Sequence, residues 1–529
     1  MSVSTPPPQQ GEYDDNAVPT GRSAAMIWGL RALGPLLAAL VYILMGNSAD
    51  LPPDARWVAT IGTLMAVWWM TEAIPLSATS LLPIILFPIF TERTVGQATS
   101  PYASPIVFLF LGGFLIAIAM EKWNLHRRIA LKTLSKVGVA PRRIVLGMML
   151  STGFLSMWVS NTATTLMMLP IALSVLTLVV ERSKGSQGAE VGDQLAEGAL
   201  ITDVVRDKNI QAFGVCLILS IAWSASMGGL GTLLGSPPNA IVAGYASDTL
   251  GREIGFLSWM LVGTPLAFAF ILIAWFLMTR WLYRFDLAEI PGGRQMIEEQ
   301  VAELGPVSQG ERMVMLVFGG AAFLWVVPGL LTSFGVNLGP LGGMNDTAIA
   351  IAAGLALFIL PGEGRETMVL DWKDAENGLP WGVLLLFGGG LSLAGSVGAS
   401  GLDQWFGAQV TGLGALPTIL LVAAVTGIIL FLTEVTSNTA TAATFIPILG
   451  GVALGINADA MMLIIPAALA ATCAFMLPVG TPPNAIVFGT GVVTIGQMAR
   501  GGLVLNIVGV VLITGIIYLL GGLAFGISF

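Results

Sequence analysis

Charged residues are scarce in this chain of 529 residues. Asp, Glu, Lys and Arg together make up only 10% of it, whereas 55% of the residues are hydrophobic. So apolar a composition excludes an ordinary soluble globular protein. With a net charge of −8, the chain lacks the basic footprint that nucleic-acid binding requires. The lipid bilayer is therefore the expected surroundings of the chain.

Cysteine and histidine are almost absent. Cys216 and Cys473 lie in apolar runs and are expected to be buried free thiols. The single histidine, His126, is followed by two arginines, whose positive charges would repel a metal ion. No zinc or haem site can be assembled from this inventory, and no Ser or Cys nucleophile has a basic partner. We therefore expect no enzyme activity.

The apolar residues fall into stretches of the length that crosses a bilayer. They predict an all-α polytopic membrane protein with about 11 transmembrane helices and two re-entrant hairpins. The uninterrupted spans are expected near 26–46, 56–73, 75–91, 104–121, 257–281, 312–332, 346–361, 380–399 and 502–526. Two further spans, near 210–247 and 460–490, are interrupted by glycine and proline. The stretches near 142–181 and 415–448 have a polar break halfway and predict the hairpins.

The ends and loops predict the orientation. Residues 1–21 are rich in proline and polar residues and are expected to form a disordered tail, followed by a first transmembrane helix within 22–55. This tail lacks the basic start of a signal peptide. Arg56, Arg93 and Arg252 are the only basic residues expected in outer loops. A multi-pass protein of the plasma (bacterial inner) membrane with a cytoplasmic N-terminus follows from this distribution.

Two polar phrases occur twice. Ser-Asn-Thr-Ala-Thr stands at 160–164 and again at 437–441, in the middle of the two predicted hairpins. Gly-Ser-Pro-Pro-Asn-Ala-Ile-Val at 235–242 has its counterpart in Gly-Thr-Pro-Pro-Asn-Ala-Ile-Val at 480–487. Hydroxyls, carboxamides and paired prolines are costly in helices that face lipid. The matched sets therefore predict a duplicated polar site at membrane depth, which is typical of a transporter.

The order of these elements predicts an inverted repeat. Residues 56–281 and 312–529 each contain five spans and one hairpin, an odd number of crossings, so that the halves are expected to lie inverted in the membrane. Residues 282–311 are expected to form the cytoplasmic linker between them. The glycine pairs at 112–113 and 388–389 are expected to allow close helix packing. The basic run at 127–136 is expected to form an amphipathic helix on the inner surface, and a hinge-bearing arm between scaffold and moving domain is one hypothesis for its role.

These phrases, together with Met-Thr-Glu-Ala-Ile-Pro-Leu at 70–76 and the segment 475–487, resemble the divalent anion:sodium symporters, a family of dicarboxylate carriers. The resemblance covers roughly residues 55–525. It implies a homodimer with a scaffold domain and a mobile transport domain that moves substrate by an elevator motion. Cys473 and Ser236 depart from the usual serine and threonine of the family, and both replacements are small.

The resemblance also implies the ligands. One Na+ would be bound by Ser156, Ser160, Asn161 and the carbonyl of Gly235, and a second by Thr433, Thr436, Asn438 and the carbonyl of Gly480. The substrate carboxylates would be held by Asn161, Thr162, Asn438 and Thr439, with Ser236, Thr481 and Pro482. Glu434, beside the second phrase, could carry a proton, although structural hydrogen bonding is favoured.

A charge argument is independent of the resemblance. No Lys, Arg or His lies within the hairpin tips or the broken helix cores. A dianion at the membrane midplane would then meet only neutral dipoles, and bound cations are the available compensation. Given the dicarboxylate substrate that the resemblance implies, the chain is predicted to be a Na+-coupled symporter of C4-dicarboxylates such as succinate, malate and fumarate, with at least two Na+. The open alternatives are a Na+-independent di- or tricarboxylate exchanger, a sulfate symporter and, more remotely, an anion channel.

Overall fold

The computed structural model describes residues 23–46, 51–138, 140–184, 201–287, 293–336, 339, 344–364, 366–409, 412 and 416–529. The predicted tail at 1–21 and part of the predicted linker at 282–311 lie outside the described residues. Within the described part, nine helices are long and apolar enough to cross a membrane, and shorter apolar helices accompany them. The predicted class, an all-α polytopic membrane protein, is confirmed, whereas the count of 11 spans stays a prediction.

Up to residue 282 the helices follow the order α1 Ala24–Met45, α2 Pro53–Thr71, α3 Leu76–Thr79, α4 Leu82–Phe90, α5 Val95–Thr99, α6 Pro105–Lys122, α7 Leu125–Val137, α8 Pro141–Ser156, α9 Asn161–Lys184, α10 Ile201–Val204, α11 Lys208–Gly228, α12 Pro237–Asp248 and α13 Phe256–Leu277. Short 3₁₀ turns span Ser100–Ala103 and Leu233–Gly235, and a π turn, Met278–Leu282, extends α13.

After residue 292 follow α14 Gly293–Glu303, α15 Gln309–Ser333, α16 Asp346–Ile359, α17 Trp372–Gly378, α18 Trp381–Ser400, α19 Leu402–Gln409, α20 Thr418–Leu432, α21 Asn438–Gly455, α22 Met461–Ala471, α23 Pro482–Gly489 and α24 Ile495–Phe525. A small antiparallel pair of strands, β1 Pro361–Glu363 and β2 Thr367–Met368, connects α16 to α17. This strand pair was not predicted.

Two of the predicted elements differ from the structure. The span predicted at 75–91 is divided into α3 and α4, and Pro83 lies in the first turn of α4, where its missing N–H cannot donate a hydrogen bond back into α3. A proline is favoured in a first helical turn because its missing N–H would have no helical partner there. The predicted linker also contains a helix, α14.

The glycine pairs do permit close approach, as predicted. A Cβ added at Gly112 would lie 2.4 Å from the backbone of Ala350, and one added at Gly389 would lie 2.6 Å from the carbonyl oxygen of Ser80. α6 therefore approaches α16, and α18 approaches the α3–α4 connection, at distances that only glycine allows.

The core surrounds the two broken helices. α11 is buried along nearly its whole length, and every residue of α22 is buried, whereas α1 is largely exposed. Both α8 and α9 pack against α11, and in the same way both α20 and α21 pack against α22. The helix that follows each break packs against the other half of the chain. α12 packs against α21 and α22, and α23 packs against α9 and α11. The two sets of polar phrases are thereby brought into one region.

The predicted amphipathic helix is α7. Its Arg128 is buried and donates from Nε to Glu311 Oε1 at 2.7 Å, while its other nitrogens donate to the carbonyls of Leu304, Gly305 and Pro306. Glu311 is also the third residue of α15 and forms a capping box with Ser308. This buried ion pair fixes α7 to the start of the second half of the chain.

Candidate functional site

Each Ser-Asn-Thr phrase begins in the last residue of a turn between two helices and continues into the first turn of the second helix. The first joins α8 to α9 through residues 157–160, and the second joins α20 to α21 through residues 433–437. At the start of α9, the Ser160 hydroxyl accepts a hydrogen bond from the backbone N–H of Ala163, as a capping serine does. These helix pairs pack against α11 and α22. Both phrases are thus placed beside the first break, residues 229–236 between α11 and α12, and the second break, residues 472–481 between α22 and α23.

A cluster of oxygen-bearing groups forms at the first phrase. The Ser156 hydroxyl donates to the carbonyl of Ala225 at 2.7 Å and contacts the side chain of Asn161. The same amide atom of Asn161 lies 3.1 Å from the carbonyl oxygen of Ala225 and 3.3 Å from that of Gly235. With nitrogen at this position, the amide donates to both carbonyls. With oxygen there, the side chain instead presents a fourth oxygen beside those of Ser156, Ala225 and Gly235, a set that suits a cation.

The second phrase repeats this geometry. The Thr433 hydroxyl lies 2.7 Å from Asn438 Oδ1 and donates to the carbonyl of Ala471 at 3.0 Å. In each half a hydroxyl therefore contacts an amide five residues later in the chain and the carbonyl of an alanine near the end of the broken helix. We name these the first cluster (Ser156, Asn161, Ala225 and Gly235) and the second cluster (Thr433, Asn438 and Ala471).

Each break is closed by the asparagine of its Pro-Pro-Asn phrase. Asn239 Nδ2 donates to the carbonyls of Gly229 and Thr232 at 2.9 and 2.8 Å. Asn484 Nδ2 donates to those of Ala474 and Leu477, both at 3.0 Å. These carbonyls have lost their helical partners, and a buried carbonyl without a partner is costly. The two asparagines are thus structural parts of the breaks, a role that sequence reasoning missed.

The first break also depends on close contact between two glycines. A Cβ on Gly235 would lie 2.6 Å from the carbonyl oxygen of Gly229, and a Cβ on Gly229 would lie 2.9 Å from Asn161 Oδ1. Backbone in such contact cannot give way as a flexible side chain can. Glycine at both positions is therefore a requirement of the first cluster.

Glu434 holds the second break. Its carboxylate accepts hydrogen bonds from the backbone N–H groups of Phe475, Met476 and Leu477 and from the side chain of Asn506. Glu434 is 3% exposed. A carboxylate with this many donors is fully occupied by structural hydrogen bonds. The geometry agrees with the structural interpretation of Glu434, which the sequence favoured over proton transfer.

The remaining predicted side-chain ligands on the two phrases lie outside the hydrogen bonds of the two clusters. The Ser160 side chain is exposed and accepts from the N–H of Ala163, outside the first cluster. The Thr436 hydroxyl contacts Leu432 and Thr441 rather than Asn438. Thr162 and Thr439 are partly exposed and make no side-chain hydrogen bond within the described part of the chain. Their hydroxyls are available to a ligand.

The other predicted contacts line the breaks. Ser236 and Thr481 directly precede α12 and α23 and are both buried, while Pro482 is exposed. A Cβ on Gly480 would lie 3.2 Å from the backbone oxygen of Glu434, which brings Gly480 to the second hairpin turn. The alanine carbonyls of both clusters were not predicted, because every residue carries a carbonyl and nothing in the sequence marks these two.

Comparison with known proteins identifies the family. A profile described as the sodium:sulfate symporter transmembrane region matches residues 26–525, nearly the whole chain. This chain belongs to that family, and the resemblance to the divalent anion:sodium symporters is confirmed. Members of the sodium:sulfate symporter family are transporters rather than enzymes, as the residue inventory predicts.

Curated relatives of this symporter cover nearly its full length. It is 42% identical over 509 residues to the sodium-dependent dicarboxylate transporter SdcS of Staphylococcus aureus (strain NCTC 8325), covering 96% of this chain and 93% of the relative. It is 40% identical over 490 residues to SdcS of Staphylococcus saprophyticus, covering 92% and 90%.

Solved structures support the fold alone. The Alcanivorax borkumensis YdaH transporter gives a TM-score of 0.52 at 12% identity, covering 90% of this symporter and 99% of that chain. Neisseria gonorrhoeae MtrF, described among antimetabolite efflux pumps, gives 0.54 at 12% identity, covering 93% of both chains. At this identity the similarity concerns the arrangement of helices and not the substrate.

Proposed function

We propose that this protein is a Na+-coupled symporter of C4-dicarboxylates such as succinate, malate and fumarate. The observation that carries the proposal is the pair of clusters, each composed of a hydroxyl, a carboxamide and a helix-end carbonyl. Neutral oxygens of this kind suit a hard monovalent cation, and broken helices supply them in transporters. The names of the SdcS relatives support the choice of substrate.

In this proposal each cluster binds one Na+. In the first cluster, the ion contacts the Ser156 hydroxyl, the Asn161 amide oxygen and the carbonyls of Ala225 and Gly235. In the second cluster, Asn438 and Thr433 bind the other ion with Ala471. The Gly480 carbonyl completes this set, as the resemblance implies. Ser160 and Thr436 contribute only if their present hydrogen bonds are exchanged.

The substrate lies between the clusters. Asn161 with Thr162 and Asn438 with Thr439 each hold one carboxylate, and Ser236, Thr481 and Pro482 line the breaks beside it. Because no Lys, Arg or His lies in the hairpin turns or the breaks, the two Na+ ions supply the charge that offsets a dianion. Transport that carries net charge requires a third ion.

The surrounding architecture follows the resemblance. We propose that 56–281 and 312–529 are inverted repeats, that both helix pairs at the Ser-Asn-Thr phrases are re-entrant, and that the N-terminus is cytoplasmic in the plasma membrane. A homodimer carries two transport domains, each moving by an elevator motion. The similar packing of α8 and α9 on α11 and of α20 and α21 on α22 supports the repeat.

Uptake into proteoliposomes tests the function. Labelled succinate should accumulate with an inward Na+ gradient and not with K+, and accumulation should fall in the variants Ser156→Ala and Thr433→Val. Uptake unaffected by Na+ would establish an exchanger instead. Uptake of sulfate but not succinate would assign the substrate that the family profile names, and unitary currents in planar bilayers would indicate a channel.

A further inference from the structure

One side-chain hydrogen bond joins the two breaks directly. Thr472, the first residue after α22, places its Oγ1 3.1 Å from Oγ of Ser236, the last residue before α12. Thr472 is fully buried and Ser236 is 2% exposed. The Thr472 hydroxyl also lies 3.3 Å from the Ala468 carbonyl of its own helix. The contact thus connects the start of the second break to the end of the first.

The matching position in the first half makes no such bond. The carbonyl of Ala225 in the first cluster corresponds to that of Ala471 in the second, so Ser226 corresponds to Thr472. Ser226 is also fully buried, but its hydroxyl has no hydrogen-bond partner among the described residues. The connection between the breaks is therefore made from one side only, by Thr472.

Thr472 is adjacent to the second cluster through the chain itself. Its neighbour Ala471 accepts the Thr433 hydroxyl, so an ion bound at Thr433 and Asn438 fixes the backbone from which Thr472 projects. On its other side Thr472 contacts Ser236, which has no other side-chain hydrogen bond among the described residues. A buried hydroxyl with a single side-chain partner takes its orientation from that partner.

We infer that Thr472 is a positioning residue that orients the Ser236 hydroxyl toward the substrate and links substrate affinity to the second cluster. The inference rests on the proposed function, since it assigns Ser236 to the substrate. Thr472 itself contacts neither carboxylate. It holds the acceptor side of Ser236 so that the Ser236 proton is free to be donated to a carboxylate oxygen, which a charge-assisted hydrogen bond favours.

The test uses the full-length protein in proteoliposomes and compares Thr472→Val, Thr472→Ser and Ser236→Ala. Thr472→Val keeps the shape but removes the hydroxyl, so the succinate KM at saturating Na+ should rise about tenfold, the loss of one oriented hydrogen bond, with little change in Vmax. Thr472→Ser retains the hydroxyl and should restore the KM. The double variant Thr472→Val with Ser236→Ala should be no worse than Ser236→Ala alone, because both remove the same interaction.

Thr426→Val is the matched control. Thr426 is also fully buried in this half of the chain, and its hydroxyl bonds only to the Val422 carbonyl of its own helix. It should leave the succinate KM unchanged. An unchanged KM in Thr472→Val, an equal rise in Thr426→Val, or strictly additive effects with Ser236→Ala would each overturn the inference.

The wild-type protein separates this inference from the proposed function. If wild-type proteoliposomes take up sulfate and not succinate, the proposed substrate is wrong, and the same comparison is made with the KM for sulfate. Coupled effects of Thr472→Val and Ser236→Ala on that KM would still support the positioning role, and independent effects would remove it.

Discussion

The side-chain amide of Asn506, in α24, donates a 2.7 Å hydrogen bond to the carboxylate of Glu434 in the turn between α20 and α21. Both side chains are buried. The same carboxylate accepts hydrogen bonds from three backbone N–H groups of the second break. It therefore holds together α24, the turn between α20 and α21, and the break. The polar site therefore depends on a residue that does not need to contact the substrate.

Glu434→Gln is expected to lower Na+-dependent uptake by at least about tenfold, because a charge-assisted hydrogen bond contributes about 1.5–3 kcal/mol and the new NH2 would face N–H donors. Initial rates in proteoliposomes measure this. The control Glu376→Gln changes an exposed carboxylate and should have no effect. Wild-type rates in Glu434→Gln would show that the negative charge is not needed to hold the break.

Gly235→Ala is expected to weaken apparent Na+ affinity about tenfold. Its Cβ would lie 2.6 Å from the carbonyl oxygen of Gly229, and such overpacking costs about 1–3 kcal/mol. The Na+ concentration giving half-maximal uptake is the quantity to measure. Gly489→Ala adds the same methyl group where nothing lies within 4 Å, and it should behave as wild type. Equal Na+ affinities in the two variants would argue against an ion in the first cluster.

Glu311→Gln is expected to destabilise the protein by about 3–5 kcal/mol, because it leaves the buried Arg128 guanidinium without its counter-ion. Thermal unfolding of purified protein in detergent detects the change as a lower Tm. Glu298→Gln removes one partner of an exposed pair, with Arg294, and should leave Tm unchanged since exposed pairs contribute little. If both variants unfold alike, the Arg128–Glu311 pair does not stabilise the packing of α7.

Removing Na+ is expected to lower the Tm of the wild-type protein. A ligand at one hundred times its Kd stabilises the folded state by about 2.7 kcal/mol, so replacing Na+ with K+ should remove that contribution. Ser156→Ala and Thr433→Val should each lose part of the Na+-dependent rise in Tm because each removes one hydroxyl of a cluster. Thr426→Val should keep the whole rise. A rise of equal size in all variants would place the ions elsewhere.

Much of the fold could be predicted from the sequence because the helix ends are marked. The hairpin predicted at 142–181 corresponds to α8 and α9, and the broken helix predicted at 460–490 corresponds to α22 and α23. Proline in the first turn marks the start of α8, α12 and α23. The division of 75–91 into α3 and α4 was not predicted, because the apolar pattern runs on without interruption through Pro83, whose missing N–H cannot continue the helix.

The candidate site was predicted in its side chains and in the carbonyl of Gly235, but not in the carbonyls of Ala225 and Ala471. Ser156, Asn161, Thr433 and Asn438 carry polar groups that are unusual in apolar sequence, and the structure brings them into two clusters. Ser160 and Thr436 carry equally polar groups, yet local hydrogen bonds direct them elsewhere. Residue type alone does not distinguish these outcomes, because a hydroxyl can bond to its own backbone as readily as to a distant partner.

The sequence by itself determined that this protein lies in a membrane, that it is helical, and that two copies of a neutral polar phrase interrupt its apolar core. Burial of apolar surface and the cost of polar groups in lipid are properties of composition and local order, so they can be read along the chain. Only the tertiary structure decided that Ala225 and Ala471 offer their carbonyls to the clusters and that Thr472 contacts Ser236. Backbone oxygens are the same in every residue, and a contact across 236 positions exists only after the helices have packed.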